Sequence, residues 1–210
     1  MTRFGAWLFR HRTAVPLPLA LAVLLLPDSL AQGSTKPLAA GAILIAFGEA
    51  IRLWGVRNIG AISRTRSDRL GPLVESGPFA LIRNPLYVGN IALWVGFAVS
   101  AHLLSLVPVF VAILGLEYHA IVRWEERLLE ERLGDRYRAY AAQVPRWIPR
   151  TFKRGARPST GSGQPAGGER RRTEDSALSV FSWRETFYSE RGTLIAIGIG
   201  YLLLWIKSQL

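Results

Sequence analysis

The chain has 210 residues, 50% of them hydrophobic, no cysteine, and a formal net charge of +11. Without cysteine there is no disulfide, no thiolate-bound zinc and no thiol nucleophile, and the redox compartment stays open. Basicity beside such hydrophobicity excludes an ordinary soluble globule, and it argues against a nucleic-acid binder because the Lys and Arg residues flank apolar runs instead of lining one face.

Five apolar stretches follow in chain order, at residues 14–30, 37–56, 87–104, 106–122 and 192–206. A helix needs roughly 20 residues to cross the hydrocarbon layer, and only the second stretch reaches that outright. The fold expected is an all-α polytopic membrane bundle of about five transmembrane helices, with a helical cofactor-binding region at its cytoplasmic face. The first stretch has a rival reading as a signal peptide, with "MTRFGAWLFRHR" as the basic n-region and Ser29-Leu30-Ala31 as the cleavage site. Pro16 and Pro18 interrupt its apolar run, which favours a retained helix. The third and fourth stretches meet near Ser105 and Pro108 as a tight helical hairpin.

Arginines set the orientation. Arg3, Arg10 and Arg12 precede the first stretch, and Arg57, Arg64, Arg66, Arg69 and Arg83 follow the second. Basic residues recur from Arg123 onward, while only Lys36 separates the first two stretches. By the positive-inside rule the N-terminus and both basic segments are cytoplasmic, and the C-terminus lies outside.

Four regions result: residues 1–70, holding the N-terminal helices and a loop; 71–150, the core; 151–175, a linker; and 176–210, the last helix with its lead-in. The run "GARPSTGSGQPAGGERRR" has nothing to bury and reads as a flexible basic linker. "ALSVFSWRETFYSE" reads either as an interfacial segment or as an unstructured lead-in. In the last stretch Gly192, Ala196 and Gly200 recur every four residues, which suits close helix packing within the bundle or against a second copy of the chain.

Two segments carry chemistry. In "ESGPFALIRNPLYVGN", Pro85 fits the first turn of a helix and Asn84 the N-cap position, which is sufficient structural reason for both. Free N–H groups there, beside Arg83, also suit a carboxylate or phosphate. In "EYHAIVRWEERLLEERLGDRYRAYAAQVPRWIP", a helix emerges from the fourth stretch carrying Glu125 and Glu126 near the membrane surface. Gly134 ends or bends it, and Tyr137, Tyr140 and Trp147 return toward it. Glu49 and Arg52 share a face of the second stretch and either neutralise each other or line the polar end of a substrate cavity. His102 and His119 are isolated, and no spacing suggests a metal site.

The two segments, in this order and separated by one hairpin, resemble the isoprenylcysteine carboxyl methyltransferase and phospholipid N-methyltransferase family of integral-membrane methyltransferases. In that family an R-H-P-x-Y motif and a downstream E-E…V-P-R block build an S-adenosyl-L-methionine site at the cytoplasmic face. The resemblance covers residues 71–149. It implies cofactor contacts by Leu73, Val74, Phe79, Asn84, Pro85, Leu86, Tyr87, Glu125, Tyr137 and Tyr140, with Arg83, Glu125 and Glu126 at the reacting centre. It further implies a membrane lipid or lipidated substrate as partner; on their own chemistry Glu117, Glu49, Arg52 and Arg123 are the candidates to face that acceptor, although Arg123 lies around the helix from the family's arginine position.

Two positions depart from the family pattern. Asn84 stands where the family has histidine, and Ile121 stands where the isoprenylcysteine branch has an arginine for a substrate carboxylate. With no cation at 121 and Glu117 two turns before Glu125, the chain leans toward an amine or lipid acceptor over a carboxylate. A nicotinamide-dependent membrane reductase of the sterol type, which is usually longer, and a non-catalytic scaffold are the alternatives.

Overall fold

A computed structural model describes residues 2–12, 14–27, 35–60, 73–149 and 181–209. The expected cleavage site at 29–31, the basic residues at 64–69 and the linker lie outside them. Among the described residues the structure is all-helical: α1 (Thr2–His11), α2 (Leu17–Leu25), α3 (Lys36–Ile59), α4 (Pro85–Ser100), α5 (Val107–Leu133), α6 (Asp135–Gln143) and α7 (Trp183–Lys207). Short 3-10 turns at Gly77–Ala80 and Leu104–Leu106 precede α4 and α5.

Three of these helices are long and apolar enough to cross a membrane, and the expectation of about five spans is not met by length. Among the described residues the first apolar stretch yields only the nine residues of α2, with Pro16 at its N-cap and Pro18 in its first turn. The third yields the 16-residue α4, about 24 Å at roughly 1.5 Å per residue. It stops before His102, whose φ of 61° turns the chain into α5 and completes the tight hairpin the sequence predicts.

The bundle is inside-out relative to a water-soluble protein. Ile43 and Phe47 on α3, Leu116 on α5 and Ile195, Leu202 and Trp205 on α7 are exposed, whereas Glu49, Glu117 and Glu190 are buried. Apolar side chains outward and carboxylates inward suit a hydrocarbon surround. The core between the helices is formed by Phe110, Leu114, Tyr118 and Ile121 of α5 with Leu8 and Phe9 of α1, Leu19 and Val23 of α2, and Ala98 of α4.

Helices α3 and α4 meet along glycines: Gly41, Gly48 and Gly55 recur every seven residues, as do Gly89 and Gly96. A seven-residue repeat returns to nearly the same face every two turns, so the glycines form one seam on each helix. A Cβ on Gly48 would sit 2.7 Å from the Gly89 carbonyl oxygen, and one on Gly89 would sit 2.7 Å from that of Gly48. Only glycine permits this backbone approach, which compensates for the lack of a hydrophobic driving force between helices in lipid.

Helix α5 continues without a break from its apolar half into its charged half and ends at Gly134, whose φ of 54° is left-handed. At 27 residues it measures about 40 Å, longer than a hydrocarbon layer of about 30 Å, so its charged end projects.

The last helix begins at Trp183, well before the expected start at 192. Ser182 and Glu185 close a capping box, with Glu185 N donating to Ser182 Oγ at 3.3 Å and Ser182 N to Glu185 Oε2 at 2.8 Å. Reciprocal satisfaction of two free amides nucleates a helix where the sequence also allowed an interfacial lead-in. Of the small residues on α7, Gly200 packs inside the chain, on the ring of Phe97, while Gly192 faces open space.

Candidate functional site

The stretch before α4 is shaped by Gly77, whose φ of 60° starts the 3-10 turn, and by Asn84, whose φ of −129° is non-helical. Asn84 occupies the N-cap position as predicted, but its side chain makes no cap hydrogen bond. Its Nδ2 instead donates to the Arg146 carbonyl at 3.1 Å, and Arg83 N donates to the Pro145 carbonyl at 2.9 Å. The V-P-R block is therefore clasped onto the R-N-P-x-Y stretch, 62 residues away in sequence. The first-turn N–H groups of α4 have no side-chain cap.

The adjacent carboxylates of α5 point to different partners, since consecutive helical residues differ by about 100° in direction. Glu126 lies between two guanidinium groups: Arg83 Nη1 at 2.8 Å, and Arg146 Nε at 2.9 Å and Nη2 at 2.6 Å from its two oxygens. The Arg146 contact is a bidentate fork, the strongest form of such a pair. It raises the pKa of Arg146 and keeps it charged. Glu125 instead accepts a hydrogen bond from Tyr87 Oη at 3.0 Å, and the Tyr87 ring stacks on Tyr118 with centroids 4.8 Å apart.

Leu73, Tyr137 and Tyr140 form a small buried cluster with Leu129, Leu133 and Val144. Tyr140 Oη donates to the Phe79 carbonyl at 2.8 Å, which ties α6 to the 3-10 turn. Tyr137 Oη receives Arg83 Nη1 at 3.4 Å. Burial, followed by the nearby Glu126 charge, raises the Tyr137 pKa, and burial raises that of Tyr140, so both phenols stay protonated. A cavity of about 450 Å³ opens beside this group, lined among others by Arg83, Arg123, Glu126, Arg127, Tyr137 and Arg146.

Of the residues the sequence singles out, Arg83, Asn84, Tyr87, Glu125, Glu126, Phe79, Tyr137 and Tyr140 thus gather at one end of the bundle. Pro85 is buried among them, Val74 is half-buried, and Leu86 packs against Gly55 of α3. Arg123 lines the cavity from α5.

Glu49 and Arg52 lie elsewhere, within the bundle. Arg52 contacts Glu49 at 3.5 Å, but its nearer carboxylate is Glu190 of α7 at 2.5 Å, and it also hydrogen-bonds Thr193 at 3.2 Å and Asn90. Glu117 is buried with neither oxygen hydrogen-bonded. Sequence reasoning assigned no role to Arg146, although the V-P-R spelling contained it, and missed Tyr118, Asn90 and Glu190, which announce themselves only through their partners. Among the described residues no three of His, Cys, Asp and Glu come together as a metal site.

This geometry can be compared with known proteins. Residues 37–136 match the family model of phospholipid methyltransferases. The match takes in just under half of the chain. The match covers the glycine seam, α4, the hairpin and all of α5, and it ends just inside α6. The chain is also 30% identical over 150 residues to the cobalt-zinc-cadmium resistance protein CzcN of Cupriavidus metallidurans, covering 69% of this chain and 66% of that protein. It is 28% identical over 117 residues to the nickel-cobalt-cadmium resistance protein NccN of Alcaligenes xylosoxydans xylosoxydans, covering 56% and 52%. The aligned parts thus span just under two thirds of the first relative's length and about half of the second's. No solved structure matches. Among the described residues the structure is all-helical, with three helices long and apolar enough to cross a membrane, and its central stretch is similar to phospholipid methyltransferases.

Proposed function

We propose that the chain is an S-adenosylmethionine-dependent methyltransferase acting on a lipid or lipidated acceptor, with its active end at the cytoplasmic face. One observation carries this reading: the R-N-P-x-Y stretch and the E-E…V-P-R block, distant in sequence, are joined by the Arg83 and Asn84 contacts to residues 145 and 146. They are joined again through Glu126. Blocks that merely capped two helices would have no reason to meet.

The residues fit the cofactor. Uncapped N–H groups in the first turn of α4 suit its carboxylate, and the Glu125 carboxylate, which accepts a hydrogen bond from one phenol, suits its cationic groups. When bound, S-adenosylmethionine supplies a methyl group already activated on a sulfonium. The side chains' work is then alignment, the largest effect available to a reaction that needs no further activation. Tyr87, stacked on Tyr118, fixes the Glu125 carboxylate. Arg83, Glu126 and Arg146 hold the walls in register.

Glu117, Ile121 and Glu125 follow one another at four-residue steps along one face of α5. Ile121 is fully buried and offers no cation to an acceptor carboxylate. The carboxylates on either side suit an amine, whose proton must leave as the methyl arrives. The preferred acceptor is therefore an amine-bearing lipid.

Calorimetry of the purified protein tests the cofactor: binding of S-adenosylmethionine and S-adenosylhomocysteine supports the reading. Binding of NADPH alone transfers it to the reductases, and binding of none leaves a scaffold. Methyl label carried from S-adenosylmethionine into a total lipid extract tests the acceptor. Base-stable label is expected, and base-labile label means an ester and overturns the amine assignment.

A further inference from the structure

The cavity beside Glu126 has more cations than its carboxylates satisfy. Arg83, Arg123, Arg127, Arg138 and Arg146 line it against Glu126 and Glu130. Glu126 is taken by Arg83 and Arg146, and Glu130 by Arg138, which also holds Asp135 at 2.6 Å. Arg123 and Arg127 are left facing the cavity with no carboxylate within ion-pair distance among the described residues. They are one turn apart on α5, so their side chains leave the same face about 5–6 Å from each other. The Tyr137 hydroxyl lies on the same wall, receiving a hydrogen bond from Arg83 and keeping its own proton to donate.

Position along α5 sets the depth. The apolar run from Val107 ends at Val122, and Arg123 is the next residue. Beyond the hydrocarbon edge comes the headgroup layer, several ångströms thick on each side, where phosphates lie. Guanidinium forks match phosphate oxygens in shape as well as charge. The cavity, at about 450 Å³, is the size of pockets that take small polar molecules or headgroups. Tyr87 and Glu125 do not line it, so it adjoins the Tyr87–Glu125 pair without containing it.

We propose that this cavity is a phosphate site, with Arg123 and Arg127 as its clamp, occupied by the headgroup phosphate of an anionic lipid from the surrounding leaflet. The lipid binds there in addition to any methyl acceptor, so the site stands whether or not the methyltransferase reading does.

The test uses the full chain, purified in a neutral detergent, with dioctanoyl phosphatidylglycerol, dioctanoyl phosphatidylcholine and inorganic phosphate added separately. Binding is read by native mass spectrometry and by the shift in melting temperature. Phosphatidylglycerol is expected to bind at least tenfold more tightly than phosphatidylcholine and to weaken as salt rises, while inorganic phosphate alone gives little shift. In Arg123→Gln/Arg127→Gln the affinity for phosphatidylglycerol is expected to fall about tenfold or more per arginine removed, each lost charge-assisted contact accounting for a decade.

Because neither arginine has an ion pair to lose, the lipid-free variant should melt as the parent does, and a matching melt shows that it folds. A lower lipid-free melt means the arginines hold the fold, and it overturns the assignment. Equal binding of the two lipids, or unchanged binding by the double variant, also overturns it. Full effect from inorganic phosphate alone would keep the clamp and overturn the lipid source. S-Adenosylhomocysteine binding, measured in the same preparations, reports separately on the methyltransferase reading.

Discussion

Glu126→Ala removes the single carboxylate between Arg83 and Arg146 and leaves both guanidinium groups facing each other. The side chains of Arg83 and Glu126 are each 14% exposed and that of Arg146 is 26% exposed. Removing one partner from a buried pair costs about 3–5 kcal/mol, mainly because a charge is left without compensation. The arginines here regain some water, so the lower end applies, about 3 kcal/mol. Glu126→Gln keeps the shape and one acceptor oxygen and should cost about 1–2 kcal/mol.

At about 2–4 °C per kcal/mol for a chain of this size, the alanine variant should melt about 6–12 °C below the parent. The tryptophans, seven in the chain, provide a fluorescence signal for unfolding in detergent. A cycle with Arg146→Ala isolates the fork, whose coupling should fall at about 1–3 kcal/mol. A melt within a degree of the parent, or strict additivity of Glu126→Ala and Arg146→Ala, would refute the claim that this fork locks the Glu126 carboxylate in place.

Glu125→Gln and Tyr87→Phe should behave in the opposite way. Each leaves the melt within about 1 kcal/mol of the parent, because only one hydrogen bond is altered, yet weakens S-adenosylmethionine binding about tenfold or more by calorimetry. Gly48→Leu forces a side chain into the Gly89 carbonyl and should abolish recovery of folded protein by size-exclusion chromatography. Gly115→Ala, with nothing within 4 Å of its added carbon, should melt as the parent does. Arg52→Leu leaves the buried Glu49 and Glu190 without their cation and should cost about 3–5 kcal/mol of thermal stability. Arg52→Leu/Glu49→Leu/Glu190→Leu should recover most of that loss, since apolar replacement of a whole buried ion cluster is often nearly neutral.

What the sequence disclosed and withheld follows from the range of each interaction. Pro85 and Gly134 mark helix boundaries by local backbone chemistry, and both hold in the structure. The hairpin was legible for the same reason. Proline also bears on the first apolar stretch: α2 starts only at Leu17, with Pro16 at its N-cap and Pro18 in its first turn, and has nine residues. The glycines of α3 and α4 are unremarkable singly. Their seven-residue spacing acquires meaning only when two such rows are set against each other.

The acidic pair shows the same limit at the site. Glu125 and Glu126 look equivalent in sequence, and the division between a carboxylate held by one phenol and a carboxylate locked by two arginines depends on partners 20 to 43 residues away.

Arg52 extends that reasoning to the C-terminal helix, which lies beyond the family match. From spacing alone it belongs with Glu49, three residues back, as a local neutralising pair. In the bundle its shorter contact is to Glu190, 138 residues on. Phe181 N donates to the Arg57 carbonyl at 2.9 Å, Arg57 lies 4.3 Å over the Trp183 ring, and Lys207 Nζ reaches the Val23 carbonyl at 3.1 Å. Helix α7 is therefore fixed to the bundle at both ends and in the middle, and the middle contact is an ion pair whose rupture strands charges away from water. A helix serving only as an anchor would need none of these. Since Arg52 also bonds Asn90, one turn beyond Tyr87 on α4, α7 is tied directly to the helix that carries the R-N-P-x-Y stretch. The C-terminal helix accordingly belongs to the structure that shapes the site, although the residues recognised as the family's end before it begins.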